Sequence, residues 1–345
     1  MRIHIAYADF PHEMNTSIWR CFIPYYALLE RGHKVTISHY SVDEPDGIDA
    51  ILIERNVFDR GLQKRMKKLK RDRVKVVVTF DDAYHLMPGY YKQKQNWTTQ
   101  LLDDFRHGLE LASVVIAPSE LLCRDYDRYC KQIKYVPNYY DKSIYHIESR
   151  QRRDGFNIFW SGTTHYHSIK DSGVLDGLGE VCCDNRNMNV VVACPDGRVI
   201  SLLERHVPHD QIVNIDLSKG AVVSGKVDLS LHSLLSWINI DHFSSIIGQF
   251  ADLGIAPLCG EYDRRRSWVK AVDFAVHGLP FLATDYEPYQ GVGATLVDNG
   301  NWGQALQSMV SDNSLRELSA SSLGMGLAGM SIQDNIEVYE EVLGV

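Results

Sequence analysis

Two successive sets of short apolar segments constrain the fold of this chain more than any other feature. The first set comprises the Val- and Ile-rich segments 3–6, 34–39, 50–53, 75–80 and 114–117. The second set comprises the segments 157–160, 188–193, 212–215, 253–257, 280–283 and 294–297. Most are apolar throughout, which is typical of strands covered on both faces of a parallel sheet, and helical patterns lie between them. The sequence therefore predicts an α/β protein with two doubly wound, Rossmann-like domains that face each other.

A polar stretch without apolar periodicity, at 141–155, indicates where the two domains meet. We place the first domain at 1–150, the second at 151–330 and a helical segment at 331–345. Charge supports this division, because residues 1–150 hold 23 basic and 20 acidic side chains whereas residues 151–345 hold 13 and 24. Such sheets bind ligands at the carboxyl ends of their strands, so polar residues directly after a strand are the first candidates for a site.

Composition excludes several other classes of protein. The chain is 45% hydrophobic and 23% charged, close to an average globular protein. Its apolar runs fall far short of the ~20 residues that span a bilayer, and its N-terminal apolar stretch is too short for a signal peptide. Seven scattered cysteines without a C-x-x-C pair argue against a disulfide framework or a structural zinc site. We therefore expect a cytoplasmic protein, with a peripheral position at a membrane as an option.

The most informative polar pattern follows segment 253–257. Ser267, Lys270 and Asp273 are spaced at intervals of three, so one face of a helix would present a hydroxyl, a cation and an acid. A hydroxyl and a cation can bind a diphosphate, and a carboxylate can accept hydrogen bonds from a ribose. An ordinary amphipathic helix with a solvated Lys and Asp explains the spacing equally well.

The chain resembles the GT-B glycosyltransferases, in particular glycosyltransferase family 4, in motifs that follow the family's order. The motifs are Asp252-Leu-Gly-Ile-Ala-Pro-Leu258, Ser267-x-x-Lys270-x-x-Asp273, Gly278-Leu-Pro-Phe-Leu-Ala-Thr284 and, upstream of these, Phe159-Trp-Ser161-Gly162-Thr163. The resemblance implies the GT-B fold, in which the last helix, here 331–345, crosses back to the first domain. It also implies a retaining hexosyltransferase that uses a nucleotide sugar, a UDP-sugar foremost, and requires no metal or other cofactor.

The resemblance also assigns a donor site to the second domain. Asp273 stands where the family has a ribose-binding Glu, and Arg265 stands where the family has an earlier Glu that often contacts the donor sugar. The expected diphosphate-binding residues are Ser267, Lys270, Arg266, Lys170, Ser161, Gly162 and Thr163. Trp237 and Ile238 fall on the loop that meets the nucleobase in relatives, although a buried Trp is as good an interpretation.

Polar residues after strands of the first domain are candidates for chemistry on the acceptor. Asp81, Asp82 and His85 follow segment 75–80, where paired acids can bind hydroxyls or take a proton from the acceptor. A helix cap is the alternative role for one of the two acids. Ser17 and Arg20 follow the first strand and are predicted on the acceptor side.

A basic run at 64–73 contains seven basic residues and one acid. A solvated helix face explains it as well as an anionic membrane surface or nucleic acid does. The predicted acceptor is a surface glycan or a lipid-linked glycan. The alternatives are hydroxymethylated bases in DNA, which the basic run fits, and a catalytically inactive scaffold that binds sugar nucleotides.

Overall fold

A computed structural model describes residues 1–9, 16–89, 94, 96–145, 155–162, 166–194, 197–216, 221–222 and 240–345. The chain forms two compact units. Unit 1 comprises residues 1–141, 265–267 and 329–345, and unit 2 comprises residues 142–264 and 268–328.

Unit 1 is built on a parallel sheet of six strands in the order β2-β1-β3-β4-β5-β6. The strands are β1 Arg2–Tyr7, β2 Lys34–His39, β3 Ala50–Glu54, β4 Lys75–Thr79, β5 Val114–Ala117 and β6 Ile133–Tyr135. The helices between them are α1 Ile23–Glu30, α2 Arg60–Arg71, α3 Thr99–Leu111 and α4 Glu120–Tyr126. Strands β3, β4 and β5 are almost wholly buried, as their continuous apolar sequences predict.

Unit 2 is built on a sheet of seven strands in the order β10-β9-β8-β7-β11-β12-β13. The strands are β7 Phe156–Ser161, β8 Met188–Ala193, β9 Ile212–Asp216, β10 Ala221–Val222, β11 Leu253–Ala256, β12 Phe281–Thr284 and β13 Thr295–Val297. All pairs are parallel except β9 with β10. The helices are α5 Tyr166–Asp171, α6 Val174–Asp184, α7 Gly197–Leu203, α8 Ile240–Phe250, α9 Gly260–Asp263, α10 Val269–Ala275, α11 Trp302–Ser311 and α12 Asn313–Leu327.

The last helix, α13 Ile332–Leu343, packs against α1, β3 and β4 of unit 1, far away in the sequence. Ser331 caps its first turn, and its apolar face is buried. The predicted fold class is therefore confirmed, including the return of the terminal helix to the first sheet. Among the described residues, no helix combines the length and the apolar character that a membrane crossing needs.

The sequence correctly predicted eleven of the strands, but it missed β6 and β10. Both are short edge strands, β10 with two residues and β6 with three. The predicted helix after β1 is also more complex than expected, because a π-helical turn at Ile18–Phe22 precedes α1.

Each sheet has one switch point, where the order of the strands reverses along the chain. In unit 1 it lies between β1 and β3, and in unit 2 it lies between β7 and β11. The carboxyl ends of the flanking strands diverge there and leave a crevice, which is the usual place for a ligand in a doubly wound sheet.

Candidate functional site

At the switch point of unit 2, a lysine from α10 reaches the carboxyl end of β7. The Lys270 Nζ donates a hydrogen bond of 2.7 Å to the carbonyl oxygen of Ser161. It also lies 5.7 Å from the centroid of the Trp160 ring, within range of a cation–π interaction. Lys270 is only half-buried, so its fixed ammonium group is accessible to a ligand at the crevice between β7 and β11.

Asp273, on the same helix, is buried without a hydrogen-bond donor. Its exposed fraction is 5%, and no described group is bonded to its Oδ1. Burial raises the pKa of this carboxyl to about 8, and the charge of Lys270 opposes the shift only in part. A buried, unsatisfied carboxylate destabilises a fold, so its presence beside a switch point is typical of a functional group.

A glycine in β11 allows α10 to lie directly on the sheet. A Cβ atom at Gly254 would come within 2.4 Å of the Phe274 ring, which is nearer than real Cβ atoms approach. Phe274 also stacks on Phe281 of β12, with ring centroids 5.0 Å apart. The glycine therefore fixes the position of the helix that carries Lys270 and Asp273.

The loops beside this crevice are held by a polar network at the ends of β11 and β12. The Thr284 Oγ1 accepts a hydrogen bond of 2.8 Å from the backbone of Leu258, and it lies 3.2 Å from the Asn299 Oδ1. The Asn299 amide in turn donates to the Leu258 carbonyl at 3.1 Å. Such closed networks keep a site rigid before a ligand binds.

The predicted diphosphate ligands do not all gather at this point. Ser161 and Gly162 lie at the end of β7, next to Lys270, and both are buried. Lys170, on α5, is exposed and lies 3.9 Å from Asp171. Thr163, Trp237 and Ile238 lie outside the described residues.

The arginine run 264–266 is engaged mainly with carboxylates. Arg264 binds Glu287, and Arg265 binds Asp125 with its Nε 2.6 Å from the Asp125 Oδ2. Arg266 is half-buried. Because the guanidinium groups of Arg264 and Arg265 have acidic partners, neither supports a phosphate site, and phosphate binding by Arg266 stays a prediction.

Ser267 belongs to unit 1, and it precedes α10 instead of opening it. Its hydroxyl accepts a hydrogen bond of 3.0 Å from the amide of Asn138. The predicted helical face of hydroxyl, cation and acid is thus reduced to Lys270 and Asp273. Asp263, two residues before the position of the family's earlier Glu, is buried and accepts hydrogen bonds from Ser168 and the backbone of Cys259.

Beside the switch point of unit 1, Asp81 and Asp82 follow β4, the strand next to β3, and form an acidic site with residues at the end of β3. The Asp81 Oδ2 accepts a short hydrogen bond from the Thr16 hydroxyl, whereas its Oδ1 is buried with no described partner. Burial, with the neighbouring charge of Asp82, raises the pKa of Asp81 to about 7. A carboxyl with this pKa can accept a proton near neutral pH.

Two residues of this site, Glu54 and Arg55, were not predicted. Glu54 ends β3, is fully buried and accepts hydrogen bonds from the backbone of Ala8 and the Ser17 hydroxyl. Arg55 follows with a left-handed φ of +30° and pairs with Asp9. Both directly follow the apolar segment 50–53, so the rule that drew attention to Asp81 would have identified them too.

The remaining predictions for unit 1 have structural partners. Ser17 is buried and bridges Glu54 and the backbone of Asp9. Arg20 is also buried, and it binds Thr79, the Val136 carbonyl and Asn138, so it is a core residue and not an exposed acceptor ligand.

His85 lies on the short helical turn after β4 and has two partners. Its Nδ1 is 3.0 Å from the Tyr126 hydroxyl, and its Nε2 is 3.4 Å from Asp125. Burial lowers the pKa of His85, although Asp125 opposes the shift. The ring is therefore neutral at pH 7, held in place by two fixed partners.

The basic run 64–73 forms most of α2 and lies partly away from the acidic site. The helix descends from the carboxyl end of β3 to the amino end of β4, so its last turn and Arg73 lie at the opposite edge of the sheet. The five residues of β4 separate the two edges by about 16 Å. Arg65 binds Glu44, and Lys70 donates to the Leu111 carbonyl, while Lys64, Lys67, Lys68, Arg71 and Arg73 are exposed.

No group of three or more potential metal ligands occurs among the described residues.

Comparison with known proteins relates the whole chain to glycosyltransferases of known structure. No protein-family model matches the sequence, and no curated protein matches it closely enough to be related by sequence. Sucrose-phosphate synthase from Thermosynechococcus elongatus is similar with a TM-score of 0.67 at 11% identity, over 100% of this chain and 99% of that one. A glycosyltransferase from Rickettsia africae ESF-5 gives 0.62 at 12%, over 99% and 98%.

A third similar structure is the α,α-trehalose 6-phosphate synthase of Burkholderia multivorans, with a TM-score of 0.54 at 10% identity, over 86% of this chain and 70% of that one. At such identities the likeness establishes the fold and nothing finer. The chain has the GT-B fold of glycosyltransferases, whereas membership of family 4 stays a prediction.

Proposed function

We propose that this chain is a glycosyltransferase that transfers a sugar from a nucleotide-sugar donor to an acceptor hydroxyl. The observation that carries the proposal is the pair on α10, a half-buried Lys270 fixed at the end of β7 and a buried Asp273 with an unpartnered oxygen. Together with the GT-B fold, this pair matches what a nucleoside diphosphate requires. It also agrees with the motif that the sequence shares with family 4.

The two side chains have complementary roles in this proposal. Lys270 binds the diphosphate and stabilises the negative charge that develops as the sugar leaves. Asp273 accepts hydrogen bonds from the ribose hydroxyls, which supplies the donors that its buried oxygen lacks. The carbonyl of Ser161 orients the ammonium group before the donor arrives.

The acceptor side of the proposal rests on unit 1. Asp81 and Asp82 lie at the carboxyl end of β4, where hydroxyls of a surface or lipid-linked glycan would bind. By resemblance to family 4, the transfer retains the anomeric configuration, and the donor phosphate helps to deprotonate the acceptor. On the same ground we expect a UDP-sugar donor, no metal requirement and a cytoplasmic enzyme that is peripheral to a membrane when its acceptor is a lipid.

The direct test is a screen of UDP-, GDP- and ADP-sugars by thermal shift and by release of the nucleoside diphosphate. We expect one nucleotide to stabilise the protein and its release to be insensitive to EDTA. Lys270→Ala should lower donor affinity about tenfold or more, because it removes a charge-assisted hydrogen bond. Lys68→Ala, an exposed lysine of α2, is the matched control. Full activity of Lys270→Ala would refute the donor site.

The second candidate function is a scaffold that binds sugar nucleotides without transfer. It is favoured by Arg265, which stands where the family has a Glu and is paired with Asp125. Stabilisation by a nucleotide without release of its diphosphate would establish it. Because it also needs a donor site, Lys270→Ala should lower nucleotide affinity about tenfold or more in this case as well.

Transfer to hydroxymethylated DNA bases rests on the basic run alone. The last turn of α2 lies at the sheet edge away from Asp81, so its exposed basic residues are poorly placed beside a base in the acidic site. Neutralising Lys68, Arg71 and Arg73 together should leave transfer in solution unchanged. Loss of DNA-stimulated turnover in that variant would instead favour the DNA acceptor.

A further inference from the structure

The outward side of α2 carries a row of cations that the proposed donor and acceptor sites do not use. Its exposed members are Lys64, Lys67, Lys68 and Arg71. Their spacing of i, i+3, i+4 and i+7 places them on one side of the helix, over about 10 Å of its length. The opposite side of α2 is buried in unit 1 through Leu62, Met66 and Leu69. Together the four cations form the α2 basic face.

The side chains of this face have no acidic partner among the described residues, whereas the neighbouring arginines do. Arg60 pairs with Asp104, and Arg65 pairs with Asp43 and Glu44. The carboxylates around α2 are therefore engaged by its first two turns. The positive charge of the basic face stays uncompensated.

Lys67 is held in position by a side chain that does not neutralise it. Its Nζ lies 3.4 Å from the His107 Nε2, and the other ring nitrogen, Nδ1, lies 3.2 Å from the Glu110 Oε2. With its Nδ1–H directed at Glu110, the ring accepts a hydrogen bond from the lysine through Nε2. Close by, burial and the neighbouring ammonium group of Lys131 lower the pKa of Lys70. Cations therefore neighbour one another on this side of unit 1.

The basic face is unfavourable for the helix that carries it. Like charges at i, i+3 and i, i+4 repel each other along a helix, and the face contains four such pairs. The one acid of the run, Asp72, is the C-cap residue and forms no ion pair with a described residue. Anions that lie against such a surface relieve the repulsion. The face is therefore suited to an anionic partner.

The composition of α2 favours a lipid bilayer over a nucleic acid as that partner. Nucleic acids are recognised by basic residues combined with aromatic rings that stack on bases or with amides that contact base edges. The exposed side of α2 offers neither, because the helix has no aromatic residue and its one amide, Gln63, is buried. A cluster of about four or more basic residues on an amphipathic helix is typical of binding to anionic lipids.

The direction of α2 relates this surface to the acceptor side of unit 1. The helix begins shortly after β3, near the carboxyl edge of the sheet where Asp81 lies, and extends about 18 Å towards the other edge. A bilayer against its outward side therefore reaches the edge that carries the acidic site. A lipid-linked acceptor is presented at that same edge.

We propose that the α2 basic face docks unit 1 on an anionic lipid bilayer. The presentation of a lipid-linked acceptor rests on the proposed transferase function, whereas the docking itself does not. The contact is electrostatic, because every large apolar side chain of α2 is buried and none is left to insert into the bilayer. The affinity therefore falls as salt is added.

Co-sedimentation of the full chain with vesicles tests the docking. The probes are vesicles of phosphatidylcholine alone and vesicles of equal parts phosphatidylcholine and phosphatidylglycerol. We expect binding to the anionic vesicles only, and its loss as the ionic strength rises from about 0.05 to about 0.5 M. Equal binding to both kinds of vesicle, binding to neither, or binding that salt does not weaken would overturn the proposal.

A combined variant locates the contact, with the substitutions Lys64→Gln, Lys67→Gln, Lys68→Gln and Arg71→Gln. Its affinity for anionic vesicles should fall by about a hundredfold or more, because each basic residue at such a surface strengthens binding about fivefold. Glutamine forms helices well, so the variant should fold, and its Tm should not fall because the repulsion along α2 is gone.

The matched control removes the same charge at scattered sites. It combines Lys34→Gln, Arg124→Gln, Arg186→Gln and Arg205→Gln, all exposed and without an ion pair to a described residue. This variant should keep most of the vesicle binding. An equal loss in both variants would show that net charge alone governs binding and would refute the role of α2.

A gel shift with duplex DNA examines the other polyanion. Tighter binding to DNA than to anionic vesicles, lost in the α2 variant, would assign the face to nucleic acid and refute membrane docking. Failure of the transferase proposal is distinguishable from failure of the docking. Vesicle binding without a nucleotide-induced thermal shift refutes the donor site alone, whereas a thermal shift without vesicle binding refutes the docking alone.

Discussion

Replacing Asp273 with Asn should stabilise the protein in alkaline solution while it weakens donor binding. The buried carboxyl has a pKa of about 8, well above the value of about 3.9 expected in the unfolded chain. Folding therefore favours the protonated acid, and stability falls as the pH rises from about 4 to about 8. By linkage, and relative to acid solution in which the group is protonated in both states, this carboxyl lowers the free energy of unfolding by about 6 kcal/mol at pH 9 but only by about 2 kcal/mol at pH 5. Asparagine has nearly the same shape and no charge to lose.

The assay is thermal unfolding of Asp273→Asn beside the wild type at both pH values. With about 2–4 °C of Tm for each kcal/mol, the variant should gain on the order of 10 °C at pH 9 and much less at pH 5. Asp252→Asn is not a suitable control, because the Asp252 carboxylate accepts a hydrogen bond from the backbone of Asn157, whereas the exposed Asp210 is suitable. An equal change in Tm at both pH values would refute the reasoning. Retained donor affinity would separately refute the ribose role.

Three further predictions concern packing and protonation. Gly254→Ala should destabilise unit 2 by about 1–3 kcal/mol and lower donor affinity, because the new methyl group displaces Phe274 and hence α10; a denaturation curve and a binding isotherm measure both. If Asp81 takes the acceptor proton, kcat/KM should rise with pH through about 7, and Asp81→Asn should remove that limb of the profile. Arg20→Met should destabilise the protein by about 3 kcal/mol in urea denaturation yet keep donor affinity, since it leaves the Val136 carbonyl and its other partners unsatisfied; lost donor affinity in a folded variant would contradict a core role.

The sequence predicted the sheets well because their signal is local. A buried parallel strand is mostly a run of Val, Ile and Ala, and β5 and β8 begin and end where the predicted segments 114–117 and 188–193 do. Strands β6 and β10 were missed because a short edge strand buries few side chains and so leaves no apolar run. The return of α13 to unit 1 was predicted only through the resemblance, since the residue pattern of 331–345 does not indicate which element the helix packs against.

The candidate sites were harder to predict, because a residue type does not reveal which way its side chain points. Arg20 follows the first strand as a ligand-binding residue would, yet it is fully buried among backbone carbonyls. Arg265 lies beside the predicted phosphate site, yet its partner is Asp125, distant in sequence. Lys270 and Asp273 were placed correctly on one helix, and only the structure shows that the acid is buried.

Unit 1 is a discontinuous unit, and this has a consequence for its biosynthesis. Residues 1–141 are translated before unit 2, but α13, which covers part of α1, β3 and β4, is translated only after it. At a synthesis rate of about 5–20 residues per second, the apolar surface that α13 covers stays exposed on the nascent chain for roughly 10–40 s. The described part of unit 2, by contrast, ends at residue 328 and does not wait for a later segment of the chain. The nascent chain is therefore most prone to aggregate, and most in need of chaperones, through its first-made half.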